Sequence, residues 1–334
     1  MKVAILEASH WHVPLYLDAL DADDDVSVVA VSDSENWRGP EIAARFDARL
    51  FAGWRALLEK EQPDFVFAFG PHTDMPDIAR TLFDRGIPFA IEKPAGTRAD
   101  TVRDLAAKAK ARAHFVSVPL IFGFSDLLGA FRGFAGGEAS WQHLSFRFIA
   151  GPVDRYLDNH CAWMLKRDVA GGGCTINLAV HFIDLFQRLT RTDVASVSAR
   201  MIENRAIADV ELYSLLSLEN AAGQVCSIET GYTFPRGFAA QREFTFSLSS
   251  DTHYLQGRDN VLRCTPRDRS LVQDIAIDFE TDRFYATFVR RTLDDYRAGR
   301  PPFANLDDMA RIMAVIDAAY ASHAQGGAPV APVR

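Results

Sequence analysis

Four cysteines in 334 residues, Cys161, Cys174, Cys226 and Cys264, are too few and too scattered for the frameworks that cysteine builds. None pairs as C-x-x-C, which argues against a zinc site and a disulfide scaffold and leaves four buried thiols acting as small apolar groups. Any block of lysine or arginine is also missing: 36 basic against 44 acidic side chains leave a net charge of −8, spread through the chain. A phosphate backbone finds no footprint there, so nucleic acid is not an expected partner. The first six residues carry one lysine and too few apolar side chains for a secretory leader, and no later run reaches the length expected of a membrane span. A cytoplasmic protein with no membrane partner is the expectation.

What is present is a chain with 48% apolar composition, long enough for two packed domains, with no internal repeat or low-complexity segment. Strand-like runs at 3–6, 26–32 and 65–69 alternate with helical patterns at 14–20, 39–46 and 75–85. A further strand at 87–91, a helix at 101–113 and a strand at 114–119 complete a doubly wound parallel-sheet domain by residue 120. After Trp141 the rhythm changes to longer alternating runs at 142–148, 195–202, 212–218, 225–232 and 243–249, with one helix at 175–189. These predict an α+β domain over 121–303 with an open, mainly antiparallel sheet. Helices at 282–298 and 305–325 follow, and residues 304–334 are expected to pack back on the first domain. An open sheet leaves one face uncovered, and Phe146, Phe148, Tyr232 and Phe244 on that face would predict a homodimer or homotetramer.

Two stretches carry chemistry. In "IPFAIEKPAG", Glu92, Lys93 and Pro94 follow an apolar strand at the carboxyl edge of the first sheet, where ligands of such sheets gather. Pro94 keeps Lys93 out of helical geometry, so the lysine is aimed outward. By itself the run also suits a solvated turn with an ordinary ion pair. In "WMLKRDVAGGGCTINLAVHFIDLFQRL", the glycines Gly171 to Gly173 let a backbone pass close to a ligand or turn sharply. The helix after them places Asn177, His181, Asp184 and Arg188 on one face, with Leu178, Phe182, Leu185 and Leu189 beside them. A solvated polar stripe has the same spacing, yet an imidazole between an amide and a carboxylate can be held in one tautomer and exchange protons near neutral pH.

Glu92-Lys93-Pro94 after a doubly wound domain, then Trp163, three glycines, Asn177, His181 and Asp184 about 80 residues later, resembles the Gfo/Idh/MocA oxidoreductase family. The resemblance spans most of the chain and implies NAD, or NADP, held with a sugar, polyol or related cyclic alcohol between two domains. It also implies that Lys93 and His181 flank the carbon that exchanges a hydride. Oxidising an alcohol needs a base for the hydroxyl proton, a role for His181, and positive charge for the developing alkoxide, a role for Lys93. Asn177 stands where the family usually has aspartate, so it can orient a hydroxyl but cannot accept a second proton. Asp33 lies 21 residues after His12, the spacing of the acid that bonds the adenosine ribose, which favours NAD, although Ser34 and Arg38 could make room for a 2′-phosphate. His72, after Pro71, falls where the family commonly has asparagine near the nicotinamide ribose. Glu92 and Lys93 join it as cofactor contacts. Arg155 and Tyr156, in a loop before Trp163, are candidate sugar contacts with it, and Pro119 stands where the family often carries a polar residue.

The glycines of the expected G-x-G-x-x-G are absent, and their places fall on Glu7, Ser9 and His12. Glu7 would set a carboxylate near two phosphates, Ser9 still allows close approach, and His10 and His12 could donate to phosphate if protonated. Binding that relies on imidazolium would weaken as pH rises. Glu7, His10, His12 and His72 also form a mixed set that could hold a divalent metal. Two other readings therefore stand beside the dehydrogenase: a non-redox or metal-assisted enzyme acting on a carbohydrate, and a sugar-sensing protein that has lost the cofactor.

Overall fold

The computed structural model describes residues 1–134, 141–236 and 241–333. In chain order the elements are β1 (Lys2–Leu6), α1 (Pro14–Asp21), β2 (Ser27–Ser32), α2 (Gly39–Phe46), β3 (Arg49–Phe51), α3 (Trp54–Lys60), β4 (Phe65–Ala68), α4 (Met75–Arg85), β5 (Phe89–Ile91), α5 (Ala99–Ala111) and β6 (Val116–Ser117). Then come α6 (Asp126–Phe134), β7 (Trp141–Ala150), α7 (Asp154–Asp158), α8 (Arg167–Ala170), α9 (Val180–Thr190), β8 (Val194–Glu203), β9 (Glu211–Asn220) and β10 (Val225–Gly231). The chain closes with β11 (Arg242–Ser250), β12 (His253–Arg258), β13 (Val261–Pro266), β14 (Gln273–Ala276), α10 (Thr281–Arg297) and α11 (Leu306–Ala324).

Two compact units emerge, each assembled from three stretches rather than from the consecutive blocks expected. The first unites Met1–Pro119, Asp154–Gly171 and Asp282–Ala310; the second unites Leu120–Val153, Gly172–Thr281 and Arg311–Arg334. The terminal segment thus corrects the expectation for 304–334: from Arg311 it belongs to the second unit, where Ser322 Oγ accepts from the Ala199 amide at 2.9 Å and Val330 pairs with Val197.

In the first unit six parallel strands lie in the order β3-β2-β1-β4-β5-β6. Both faces of such a sheet are covered, so β1 and β4 read as unbroken apolar runs and Val3, Ile5, Phe65 and Phe67 are buried. Strand order reverses between β1 and β4, and the loops after both strands open at the carboxyl edge where ligands of this architecture bind.

In the second unit eight strands run β14-β13-β12-β11-β7-β10-β9-β8, antiparallel except where β7 and β10 lie parallel. Phe182 of α9 stacks on Phe146 at 5.2 Å and meets Phe148 and Phe244 at 5.8 Å. The aromatic face expected to join copies of the chain is thus already covered by this chain's own helix, and Tyr232 is buried as well. Among these strands the opposite face carries Arg147 with Glu229 and Glu243, and Ser145 with Ser227, a polar surface that water solvates. The four cysteines are buried thiols. One stretch among the described residues, Arg167–Thr190, is long and apolar enough to cross a membrane, but 89% of its window is buried inside the protein, as in a core helix.

The three glycines before α9 answer to packing. Gly171 adopts φ 80° and ends α8, while a Cβ on Gly172 would come within 1.8 Å of the Tyr320 hydroxyl. A Cβ on Gly173 would sit 2.1 Å from the Glu211 carbonyl oxygen, a backbone atom that cannot step aside. Gly173→Ala is therefore expected to cost about 3 kcal/mol, lowering the thermal midpoint by roughly 5 to 10 °C. An unchanged melting curve would show that β9 yields instead.

Candidate functional site

At the end of β1 the chain turns through Glu7, whose φ of 57° is the left-handed conformation that the first glycine of a dinucleotide loop supplies. Its side chain does not face outward. Oε1 accepts from the Trp54 amide at 3.0 Å and from Ser32 Oγ at 3.1 Å, and Oε2 accepts from the Ser34 amide at 3.0 Å and from the Ser34 hydroxyl. The expected carboxylate beside the phosphates is thereby corrected: four donors from the ends of β2 and the start of α3 draw it into the protein, where only 7% of the residue is exposed.

Asp33, one residue past β2, holds the facing loop. Its Oδ2 accepts from Ser9 Oγ at 2.8 Å, the Trp37 amide at 2.9 Å and the Gly39 amide at 2.7 Å. Its Oδ1 is buried without a hydrogen-bond partner. Such an atom requires a donor, and a ribose hydroxyl bound at the carboxyl edge would supply it. These residues fit an adenosine ribose, and Ser9 supports them as second partner of the acid.

The histidines take other work than expected. Desolvation lowers His10 and His12 well below the usual imidazole range, and it brings His72 down to about 4 despite the Ala170 carbonyl at 2.7 Å from its Nδ1. His10 Nδ1 accepts from the His12 amide at 3.2 Å, so that backbone donor is spent inside the loop. His12 Nδ1 lies 3.1 Å from Glu92 Oε1 and its Nε2 lies 3.1 Å from the Tyr285 hydroxyl. Because burial keeps the ring neutral, this approach to Glu92 is a close contact rather than an ion pair. Burial thus holds these rings toward the neutral form, which disfavours imidazolium donors. Glu7 turned away removes the fourth member of the proposed metal set, and among the described residues no group of three His, Cys, Asp or Glu is arranged to hold a metal.

Lys93 emerges beside this network. Burial draws its ammonium down to about 8, Glu92 opposing the shift and Arg155 adding to it. Tyr16 donates to Glu92 Oε1 at 2.6 Å, while Glu92 Oε2 is buried with no hydrogen-bond partner. Trp163 packs on His72 at 4.9 Å and on His10 at 5.8 Å. Arg155 lies over the Trp11 ring at 5.4 Å and donates to the Tyr156 hydroxyl at 2.7 Å. Tyr156 itself is fully buried, its hydroxyl taken by Arg155.

In the second unit the polar stripe is not a solvated face, because Asn177, His181 and Asp184 are buried. The residues Thr175–Ala179 form a π-turn before α9, and Asn177 Nδ2 donates to the Tyr232 hydroxyl at 2.8 Å. Phe122 meets the His181 ring edge-on at 6.0 Å, and Arg188 Nε donates to both oxygens of Asp184 at 2.8 Å. Glu211 fixes the start of this segment, its Oε1 accepting from the Gly173 and Thr175 amides at 2.9 and 3.0 Å and from Tyr320 at 2.8 Å. Sequence reasoning missed Tyr16, Tyr285, Tyr232 and Glu211. Tyr16 carries a faint signal, one helical turn after His12; the others come from elements remote in the chain.

Two family descriptions match the chain: an oxidoreductase family with an NAD-binding Rossmann fold over residues 9–120, and the GFO/IDH/MocA C-terminal domain over residues 142–250. No match was found among curated proteins. Among solved structures, GenD2 from gentamicin A biosynthesis in complex with NAD is 21% identical at a TM-score of 0.84, with 100% of this chain and 97% of that chain covered. Levoglucosan dehydrogenase in complex with NADH and levoglucosan is 14% identical at 0.85, with 100% of each covered. UDP-N-acetylglucosamine 3-dehydrogenase GnnA from Acidithiobacillus ferrooxidans is 18% identical at 0.77, with 97% of this chain and 98% of that chain covered. At these identities the likeness is one of fold.

Two outcomes follow from the geometry. Glu7→Gly relieves about 1 kcal/mol of left-handed strain but strands the buried Ser32 hydroxyl and Trp54 amide, so chemical denaturation should show a net loss of about 2 kcal/mol. A gain in stability would mean that water replaces the carboxylate. The buried histidines give a pH dependence: below 6.5 the unfolded chain takes up protons that the folded rings refuse, so stability falls with pH. From pH 7 to about 4, His72 alone contributes a loss of roughly 3 kcal/mol. Denaturant midpoints that stay level across that window would contradict neutral burial.

Proposed function

This chain belongs to the Gfo/Idh/MocA oxidoreductase family, and we propose that it transfers a hydride between NAD and a secondary alcohol carbon of a sugar, polyol or related cyclic alcohol. The observation that carries this reading is Lys93: a lysine of the first unit, buried after β5 and drawn to about 8, is a cation whose charge is strongly felt because little water screens it. When bound, the nicotinamide takes or returns the hydride. Asp33 Oδ1 receives the adenosine ribose hydroxyl, and Glu92 Oε2 is a further acceptor for a cofactor or substrate donor.

Lys93 as an ammonium stabilises the negative charge that develops on the substrate oxygen as its proton leaves. His181 accepts that proton in oxidation and returns it in reduction. Asn177, tied to Tyr232, orients a substrate hydroxyl and carries no proton of its own. The sugar substrates in the names of the levoglucosan and UDP-N-acetylglucosamine dehydrogenases support a carbohydrate as substrate class here.

Lys93→Ala and His181→Ala are each expected to lower turnover by about two to four orders of magnitude while leaving NAD bound. Steady-state rates with a panel of sugars and polyols, and NAD titration of the same preparations, check both. Near-parental turnover in the two variants would remove the assigned roles.

A further inference from the structure

We propose that the first unit carries a second ligand site at the amino edge of its sheet, a groove that takes a small aromatic carboxylate. The groove has a volume of about 560 Å³ and lies within that unit, where the end of α5, the start of β6, the end of α10 and the start of α11 meet. The strands are parallel and β6 begins here, so this is the edge opposite to the loops of Glu7, Asp33 and Lys93. Its volume is that of a small-molecule site, and such sites combine an apolar wall with a few polar groups.

The wall is aromatic and fixed. Tyr296 packs on Phe115 at 5.4 Å and on Phe65 at 5.3 Å, and the groove continues over Ala109, Pro301 and Pro302. His114 adds no charge to it, because burial lowers its pKa and its Nε2 lies 2.7 Å from the Ile87 carbonyl oxygen. Such a surface suits a flat apolar ring.

The polar groups around the wall are mostly donors. In the last turns of α5, Lys108 and Arg112 reach Asp84 at 3.7 and 3.1 Å, whereas Lys110 lines the groove and has no ion-pair partner among the described residues. Arg300 is anchored by its Nε, which donates at 2.8 Å to Asp295, a carboxylate 1% exposed that Arg291 also holds. Its Nη groups make no hydrogen bond among the described residues. Asn305 spends its Oδ1 on the Asp308 amide at 3.1 Å, which leaves its amino group to the groove. Against these donors the lining holds one carboxylate, Asp307. Two cations to one anion favour a negatively charged ligand, and the rings beside them favour one whose charge is carried on an aromatic body.

The test is calorimetric titration of the purified full chain with 2-naphthoate and with its uncharged counterpart 2-naphthamide, each with and without saturating NAD+. One naphthoate site with a Kd of about 100 μM is expected, at least about tenfold tighter than for the amide and unchanged by NAD+. Lys110→Gln should weaken naphthoate roughly fivefold and leave the amide alone, while Ala109→Trp, which fills the groove, should abolish binding of both. Absence of a saturable naphthoate site, equal affinity for the two probes, or parental affinity in Lys110→Gln would overturn the proposal. So would displacement by NAD+, which would put the probe at the nucleotide edge. Lys110 is exposed and unpaired, so its variant decides the matter even if Ala109→Trp does not fold. A parent that refuses naphthoate and loses sedimentation mass on Ala109→Trp would make the groove a contact between copies of the chain, and would equally overturn the ligand site.

Discussion

The carboxylate of Glu7 is the point at which the first unit is tied together. It sits at the exit of the central strand β1 and receives donors from β2, from the loop after β2 and from the first turn of α3. The Ser32 hydroxyl and the Trp54 amide would otherwise be buried donors without a partner, each a cost comparable to a lost hydrogen bond. The left-handed turn that Glu7 adopts costs less than this network returns, so a residue other than glycine can stand there. Because the acid is consumed in this way, the edge of the sheet above it is left to Asp33.

The same logic of burial governs the cations and imidazoles nearby. Three histidines in one desolvated region could not all be charged without large cost, and each is kept neutral by the absence of water. The neutral His12 ring lies against Glu92 and the Tyr285 hydroxyl, and Tyr16 donates to the same Glu92 oxygen, which orients the glutamate that precedes Lys93. Lys93 itself is lowered yet remains a cation over much of the neutral range, since Glu92 opposes the desolvation. The Glu92 carboxylate thus offsets part of what burial takes from the charge on the lysine.

The second unit solves a different problem, that of starting a buried helix. The amides at its entrance have no turn before them to bond to, and Glu211 at the start of β9 accepts two of them while Tyr320 of α11 completes the set. That arrangement requires β9 and α11 to approach the chain at Gly172 and Gly173 more closely than any side chain permits. Asn177 and His181 take their places downstream of this constraint.

Periodicity alone determined most of the architecture. The alternation of short apolar runs with amphipathic stretches marked the parallel sheet, the helices Gly39–Phe46 and Met75–Arg85 lie at the expected bounds, and the longer alternating runs became the mixed sheet. Local spacing also singled out Lys93, Asp33, Asn177 and His181 as candidates, because proline, strand ends and helical faces constrain a few neighbours at a time, while their roles came from the family resemblance. Spacing could not tell which way Glu7 points, that His12 faces Glu92 across 80 positions of chain, that Phe182 covers the aromatic sheet face, or that three separate stretches make each unit. Those outcomes depend on hydrogen bonds and packing between residues remote in sequence, whose energies exist only once the chain has removed water from around them, and so only the tertiary structure decided them.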